Sequence, residues 1–185
     1  NEYIALGELS LDGVIKKVDG VLPMCIEALK YGIKRVIVPK ENAKEASIVS
    51  GIDVIPVSSL NQVISYLNKK IIIPPERFEI ENLFNKNIKC NFDFSEVKGQ
   101  KNIKRAIEVA ASGGHNCLLI GSPGSGKTMM ARRIPTILPN LSFEESLEVT
   151  KIHSVAGNTT NDNPLIINRP FISPHHTISK TSLVG

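Results

Sequence analysis

The sequence predicts an α/β protein made of two units. Strand-like and helix-like segments alternate along residues 1–70, and a glycine-rich turn lies between an apolar strand and a helix in residues 93–185. Between them, residues 71–92 contain Pro74-Pro75 and a stretch rich in Asn and Lys, which is typical of a linker. Because strands that alternate with helices pair in parallel through crossover connections, we expect a parallel sheet.

The first unit is expected to open with a β-hairpin followed by a helix. Residues 3–9 and 14–18 have strand-like patterns and flank the turn signal Asp12-Gly13. Apolar side chains then recur at helical spacing from Leu22 onward, and Gly32 is placed to end that helix.

Two more pairs of a strand and a helix are predicted for the first unit. Residues 35–38 form an apolar strand, after which Asn42 can cap a helix that runs to about Ser50. Residues 53–57 form the next strand, and Ser59 with Gln62 is a candidate capping box for another helix. The apolar side chains of that helix share one face, and they are Leu60, Val63, Ile64 and Leu67.

The second unit is expected to begin with a helix over residues 100–112, which Gly113-Gly114 ends. Residues 117–120 are predicted to form a short buried strand. A glycine-rich turn follows this strand and leads into a helix from about Lys127 to Ile134. Pro135 is expected to stop that helix, because proline has no N–H to continue it.

The remainder of the chain is predicted to hold one more helix. Ser142 and Glu145 form a second capping-box candidate, for a helix that runs to about His153. Residues 156–185 alternate polar clusters with short apolar runs, which suggests hairpin or loop structure.

The composition narrows the class of protein. With 42% apolar and 22% charged residues it is that of an ordinary globular protein, and the net charge of +4 includes no dense basic block that alone indicates nucleic-acid binding. No apolar run approaches about 18 residues and no secretory leader is recognisable, so we expect a cytoplasmic protein with no membrane partner. Cys25, Cys90 and Cys117 are far apart, which favours neither a disulfide framework nor a zinc site.

One motif carries chemistry: residues 121–128 satisfy the pattern G-x-x-x-x-G-K-[ST] of a phosphate-binding loop. Its members are Gly121, Ser122, Pro123, Gly124, Ser125, Gly126, Lys127 and Thr128. Glycines let backbone N–H groups approach phosphate oxygens closely, Lys127 would hold the β- and γ-phosphates, and Thr128 would ligate Mg²⁺. The alternative is a glycine-rich turn that only caps a helix.

Nucleotide hydrolysis also needs an apolar strand that ends in an acidic pair. The acidic residues after the motif are Glu144, Glu145, Glu148 and Asp162, and none of them follows an apolar strand. We therefore expect this chain to bind a nucleotide without turnover and to contain no catalytic residue. A phosphate-loop unit that ends at Gly185 also has fewer strands than its core requires.

Several segments together resemble the bacterial magnesium-chelatase-like AAA+ ATPases of the YifB/ComM type. The phosphate-binding motif is one of them, and the others are residues 7–13, Val38-Pro39 with Asn42-Ala43, residues 94–100, residues 113–116, Arg169-Pro170-Phe171 and residues 174–179. Apart from the linker, the resemblance covers most of the chain.

The resemblance implies a Lon-protease-like domain of the ribosomal S5 domain 2 fold in residues 1–70, a linker over 71–92, and the N-terminal part of an AAA+ domain in 93–185. The motif then corresponds to the Walker A loop, and Val97, Gly99 and Gln100 correspond to the segment that lies against adenine. ATP and Mg²⁺ are the implied cofactors. The Walker B acids, sensors and arginine finger would lie beyond this chain, which resembles a fragment lacking both ends.

The implied function is that of a homohexameric motor that remodels DNA, as in the branch-migration helicases of the ComM type that act in competence. One alternative is the ATPase subunit of a magnesium chelatase. Another is a non-catalytic interaction module formed by the Lon-like domain. Peptidase activity is not implied, because residues 21–24 stand where Lon-like proteases place a catalytic lysine.

For the other polar residues considered, the sequence either leaves several roles open or favours a structural one. His175 and His176 could serve a structural or subunit-interface role, contact DNA or ligate a metal, although no third ligand is near in sequence. Arg132 and Arg133 follow the loop on its helix, where salt bridging is favoured over a trans-acting role. Ser10 has no base nearby in sequence, so we do not expect a nucleophile there.

Overall fold

The computed structural model describes residues 3–79 and 92–174, which divide into two compact units. Within the described residues, the first unit consists of residues 3–79 and 142–167, and the second of residues 92–141 and 168–174. None of the described helices is long and apolar enough to cross a membrane.

The first unit is an α/β structure with a parallel sheet, as the sequence predicts. Its elements are β1 (Ile4–Ala5), β2 (Glu8–Leu9), β3 (Ile15–Lys16), α1 (Val21–Lys30), β4 (Arg35–Pro39), α2 (Ala43–Ala46), β5 (Asp53–Val57) and α3 (Leu60–Leu67), joined by the later helix α6 (Phe143–Val155). The parallel sheet has the order β1-β4-β5, with Val36 of β4 opposite Ile4 on one side and Val54 on the other.

The predicted hairpin is confirmed, but residues 3–9 do not form a single strand. Strand β2 pairs with β3 in an antiparallel hairpin, whereas β1 joins the parallel sheet. Gly7 separates the two strands with φ of 148°, and a Cβ at this position would lie 2.8 Å from Cγ2 of Ile15. Only glycine permits both this backbone conformation and this approach, so the chain can turn from one sheet to the other.

The two faces of the sheet are covered by different helices. Helix α1 packs on one face of the sheet. The buried residues there are Val21, Leu22, Cys25 and Ala28 of α1 and Val36, Val38 and Val54 of the strands. On the other face, Ile37, Ile55 and Val57 contact Val63 and Tyr66 of α3. Of the predicted apolar face of α3, only Val63 packs there, while Leu60, Ile64 and Leu67 are exposed.

The helix predicted to run from Asn42 to about Ser50 is wrong in its cap and its length. A 3₁₀ turn (Lys40–Asn42) leads into α2, which ends at Ala46. The Asn42 side chain does not cap the helix, because it is buried and binds the backbone of Val18, accepting from N–H at 3.1 Å and donating to C=O at 2.9 Å. The Asn42 side chain therefore bonds a residue that is distant in the sequence and not the first N–H groups of α2.

Helix α6 has the predicted capping box but an unexpected packing face. The Ser142 hydroxyl accepts from the N–H of Glu145, and the Glu145 carboxylate accepts from the N–H of Ser142. The helix packs on α1, and its buried residues are Ser146, Thr150 and Ser154 at four-residue intervals. Since these side chains are small, the helix can approach closely, but their hydroxyls need partners.

Oγ1 of Thr150 donates to the carbonyl of Ser146 at 2.6 Å, and Oγ of Ser154 donates to Glu45, a carboxylate that is only 4% exposed. Its oxygens accept from the N–H of Leu22 at 3.3 Å, from Oγ1 of Thr159 at 3.1 Å, from Nδ2 of Asn42 at 3.4 Å and from Oγ of Ser154. Four donors from separate segments thus compensate one buried negative charge. This set of contacts is called the Glu45 cluster below.

The second unit is smaller and mainly helical in its described part. It contains a 3₁₀ turn (Phe94–Glu96), α4 (Lys101–Gly113), α5 (Lys127–Ala131) and a second 3₁₀ turn (Ile134–Ile137). Phe94, Val97, Ile107 and Met130 form its buried cluster. Helix α4 was predicted, and Gly114 follows it with φ of 62°, the left-handed conformation that ends many helices.

Two predicted elements of the second unit are wrong. Residues 117–120 are not a buried strand, because no described strand pairs with them and Leu118 and Ile120 are 84% and 86% exposed. Helix α5 ends at Ala131 instead of Ile134, and Pro135 lies in the first turn of the 3₁₀ segment, where its missing N–H costs no bond. For the described residues 156–174, the predicted alternative of loop structure is confirmed and a hairpin is not present.

We predict that Glu45→Ala strongly destabilises the first unit. The substitution leaves three buried or part-buried donors without an acceptor, which should lower the free energy of unfolding by about 3 kcal/mol. Urea denaturation followed by circular dichroism measures this change. Glu41→Ala, at an exposed carboxylate four residues earlier, is the control and should change stability by less than about 0.5 kcal/mol. Equal unfolding midpoints for the two variants would contradict the prediction.

Candidate functional site

Residues 121–126 form a loop between residues 117–120, which have no regular secondary structure, and helix α5. Ser125 N–H donates to the carbonyl of Ser122 at 3.3 Å, which closes a turn. Gly124 and Gly126 have φ of 78° and 85°, values that side chains with a Cβ rarely adopt. A Cβ on Gly121 would also lie 3.0 Å from Oγ of Ser125. The loop conformation therefore requires glycine at positions 124 and 126, and a side chain at position 121 would have to displace Oγ of Ser125.

The ammonium of Lys127 lies inside this loop. Its Nζ donates to the carbonyl oxygens of Gly121 at 2.9 Å and Ser122 at 2.8 Å, and to Oγ of Ser125 at 3.3 Å. All three acceptors are uncharged. The loop therefore presents a positive charge whose contacts an anion can replace without breaking an ion pair.

A cavity of about 210 Å³ opens beside the loop. Its lining comes from the loop, the residues before it and two helices, and consists of Gln100, Ile103, Leu119, Ile120, Gly121, Ser122, Ser125, Lys127 and Met130. This volume is smaller than the roughly 300–1,000 Å³ of typical ligand pockets. A ligand larger than a few phosphate groups would therefore extend beyond it.

The family resemblance assigns three residues to the segment that lies against adenine, and one of them lines the same cavity as the loop. Gln100 lines it, whereas Val97 is buried in the cluster with Ile107 and Met130, and Gly99 does not line the cavity. Gln100 also has a left-handed backbone with φ of 49°, which is uncommon for a residue other than glycine. The assignment of these three residues to a nucleotide stays a prediction.

Three other residues of the motif, Pro123, Gly124 and Thr128, do not line the cavity. Thr128 is exposed at the start of α5, next to Lys127, and Pro123 and Gly124 form the outer turn of the loop. The roles of Thr128 as a Mg²⁺ ligand and of the motif as a nucleotide site stay predictions. Sequence reasoning missed Ile103 and Met130 as lining residues, although Ile103 precedes the buried Ile107 by four residues, a spacing that places both on one side of a helix.

The two arginines after the loop have separate environments. Arg132 is exposed, whereas the guanidinium of Arg133 pairs with Glu96 at 2.7 Å. The expectation of a salt bridge is thus confirmed for Arg133, but the partner lies on the turn Phe94–Glu96 and not on the same helix. This hydrogen bond is the main cause of the lowered pKa of Glu96.

Other candidates from the sequence have structural contacts. Ser10 donates to the carboxylate of Asp12 and to the carbonyl of Val14 at 2.8 Å, as expected for a turn residue. Among the described residues no group of three or more His, Cys, Asp and Glu could hold a metal. His175, His176 and Cys90 lie outside the described residues.

Comparison with known proteins identifies the family. The family model "Magnesium chelatase, subunit ChlI" matches residues 93–185, and the model "Subunit ChlI of Mg-chelatase" matches residues 1–42. The chain belongs to this magnesium-chelatase-like family and is of the YifB/ComM type. The resemblance seen in the sequence is therefore confirmed.

Individual relatives agree with this assignment. The uncharacterized protein YifB of Escherichia coli is 40% identical over 185 residues, and competence protein ComM of Haemophilus influenzae is 36% identical over 185 residues, each match covering 100% of this chain. The chain spans 35% and 36% of those two relatives. Lon protease 2 of Bacillus subtilis is 34% identical over 76 residues, which are 40% of this chain and 13% of that protease.

We predict that the two described cysteines differ in reactivity. Cys25 is buried, and burial together with the charge of Glu45 raises the pKa of its thiol to about 12, so it stays protonated and inaccessible at pH 8. Cys117 is exposed. Maleimide labelling with peptide mapping should modify Cys117 in the native protein and Cys25 only in denaturant. Rapid native labelling of Cys25 would contradict the packing of α1 on the sheet.

Proposed function

We propose that residues 121–128 bind the phosphates of ATP with Mg²⁺, as a Walker A loop. The observation that carries this proposal is the ammonium of Lys127, held by uncharged acceptors inside the glycine loop beside the cavity. A triphosphate would replace the carbonyl contacts of Lys127 with charge-assisted hydrogen bonds, which are the stronger kind. Magnesium-chelatase-like proteins of this family are AAA+-like, which supports ATP as the ligand.

The other nucleotide contacts follow from the same placement. The exposed hydroxyl of Thr128 adjoins Lys127 and would ligate the Mg²⁺ that accompanies the phosphates. Gln100 lines the cavity from the start of α4, so the base and sugar would extend toward residues 97–100. The buried side chain of Val97 would anchor this segment to the core, and Gly99 has a left-handed backbone with φ of 71°.

The domain assignment is part of the proposal. We assign residues 1–70 to a Lon-like domain of the ribosomal S5 domain 2 fold, 71–92 to a linker and 93–185 to the N-terminal part of an AAA+ domain, of which residues 142–167 pack within the first unit. The parallel sheet with its hairpin supports the first assignment, and the similarity of 40% of the chain to Lon protease 2 agrees with a Lon-like relation. The family match over residues 93–185 supports the third.

For the whole protein we propose a cytoplasmic homohexameric motor that remodels DNA as a branch-migration helicase. Similarity over the full chain to competence protein ComM supports this function. This chain by itself would bind ATP without hydrolysing it. A second candidate, the ATPase subunit of a magnesium chelatase, is favoured by the family name ChlI. Stimulation of ATP hydrolysis in the full-length protein by branched DNA would favour the motor, and stimulation by a porphyrin-binding partner would favour the chelatase.

We predict that Lys127→Ala weakens the binding of Mg²⁺-ATP by at least about tenfold, because one charge-assisted contact to the phosphates is lost. Isothermal titration calorimetry measures the dissociation constant. Lys70→Ala makes the same change of charge at an exposed lysine of the first unit and should bind ATP like the unchanged chain. A phosphate-release assay should detect no turnover in any of the three proteins.

Two outcomes would overturn parts of this proposal. Equal affinities of Lys127→Ala and the unchanged chain for ATP would remove the loop from the binding site. Phosphate release that depends on Lys127 would show that an acidic residue of this chain completes a hydrolytic site.

A further inference from the structure

We propose that Arg133 is a positioning residue that fixes the turn Phe94–Glu96, holds Gln100 at the cavity through that turn, and thereby sets the preference for a nucleoside triphosphate over bare triphosphate. This inference rests on the proposed binding of a nucleotide at the loop. It assigns Arg133 no contact with the ligand. Its role is to hold one segment of the chain against another.

Arg133 joins two segments that are about 40 residues apart in the sequence. Its guanidinium bonds the carboxylate of Glu96 at 2.7 and 3.3 Å and the carbonyl of Asp93 at 3.1 Å. It also donates to the carbonyl of Met129 at 3.1 Å and lies 5.1 Å from the ring centroid of Phe92. With these partners, the side chain is only 13% exposed.

A second contact joins the same two segments. Thr136 Oγ1 accepts from the N–H of Phe94 at 3.1 Å and donates to the carbonyl of Arg133 at 2.7 Å. Below these bonds, Phe94 and Val97 pack with Ile107 and Met130. The turn Phe94–Glu96 is therefore fixed to the chain that follows the loop by ionic, polar and apolar contacts together.

The turn leads directly to the cavity. Val97 ends the fixed segment, and Gln100 lines the cavity three residues later with its left-handed backbone. Such a conformation is retained only where the surroundings impose it. When Arg133 is lost, Glu96 and Asp93 lose their main partner, and Gln100 can relax away from the cavity.

The contacts of the Lys127 ammonium do not include Arg133, whose one bond to α5 is to the carbonyl of Met129. Lys127 is held by Gly121, Ser122 and Ser125, all within the loop, and none of them bonds Arg133. Loss of Arg133 should therefore weaken the part of the site that receives the nucleoside and leave the part that receives phosphates.

The test compares two ligands, Mg²⁺-ATP and Mg²⁺-tripolyphosphate, by calorimetry on the whole chain. The variants are Arg133→Gln and Glu96→Gln, which break the ion pair from either side. Arg132→Gln is the matched control, since Arg132 is the adjacent residue of the same type and is exposed. Circular dichroism establishes that each variant is folded.

For both ion-pair variants we expect ATP affinity to fall by about tenfold while tripolyphosphate affinity changes by less than about twofold. Arg132→Gln should keep the original ratio of the two affinities. An unchanged ratio in Arg133→Gln and Glu96→Gln, including an equal fall for both ligands, would overturn the inference and reduce Arg133 to a general stabilising residue. If the unchanged chain binds neither ligand, the proposed function fails and this inference fails with it.

Discussion

The first unit depends on the burial of one carboxylate. Moving a charge away from water costs several kcal/mol unless hydrogen bonds replace the lost hydration. Glu45 meets that demand with donors from α1, α6, the segment after α6 and Asn42. Because each donor comes from a different part of the chain, satisfying the charge requires that all of them reach their final places. The Glu45 cluster therefore specifies the arrangement of the unit as well as stabilising it.

The same cluster explains why α6 packs with residues that precede it by more than 100 positions. A helix of the first unit would ordinarily present large apolar side chains to its neighbour. Helix α6 fully buries Ser146, Thr150 and Ser154, whereas its large apolar side chains are only partly buried against the core, as Phe143 and Leu147 are, or exposed, as Ile152 and Val155 are at 72% and 65%. Small hydroxyl residues allow close approach to α1 and supply the donor that Glu45 needs. In the sequence, residues 92–141 are therefore inserted between two segments that share one core.

Local chemistry made much of the fold predictable from the sequence. The hairpin, α1, β4, β5, α4 and the capping box of α6 all follow from signals a few residues long, such as Asp12-Gly13 and Ser142 with Glu145. The errors occur where a distant partner decides the structure. The Asn42 side chain binds the backbone of Val18 and does not cap its own helix, and residues 117–120 lack a paired strand among the described residues. The residues of the loop were recognised by their spacing, whereas the contacts of Arg133 required the folded chain.

The two units use charge in opposite ways. Glu45 is saturated by fixed donors inside a core, so its partners cannot be exchanged without loss of stability. Lys127 is held by neutral acceptors at the edge of a small cluster, and those acceptors belong to a loop shaped by glycine backbones rather than by packing. An anion can displace such contacts at little structural cost, because the ammonium gains a charged partner and the loop keeps its conformation. This difference in partners, not the charge alone, distinguishes a group that organises a fold from one that can receive a ligand.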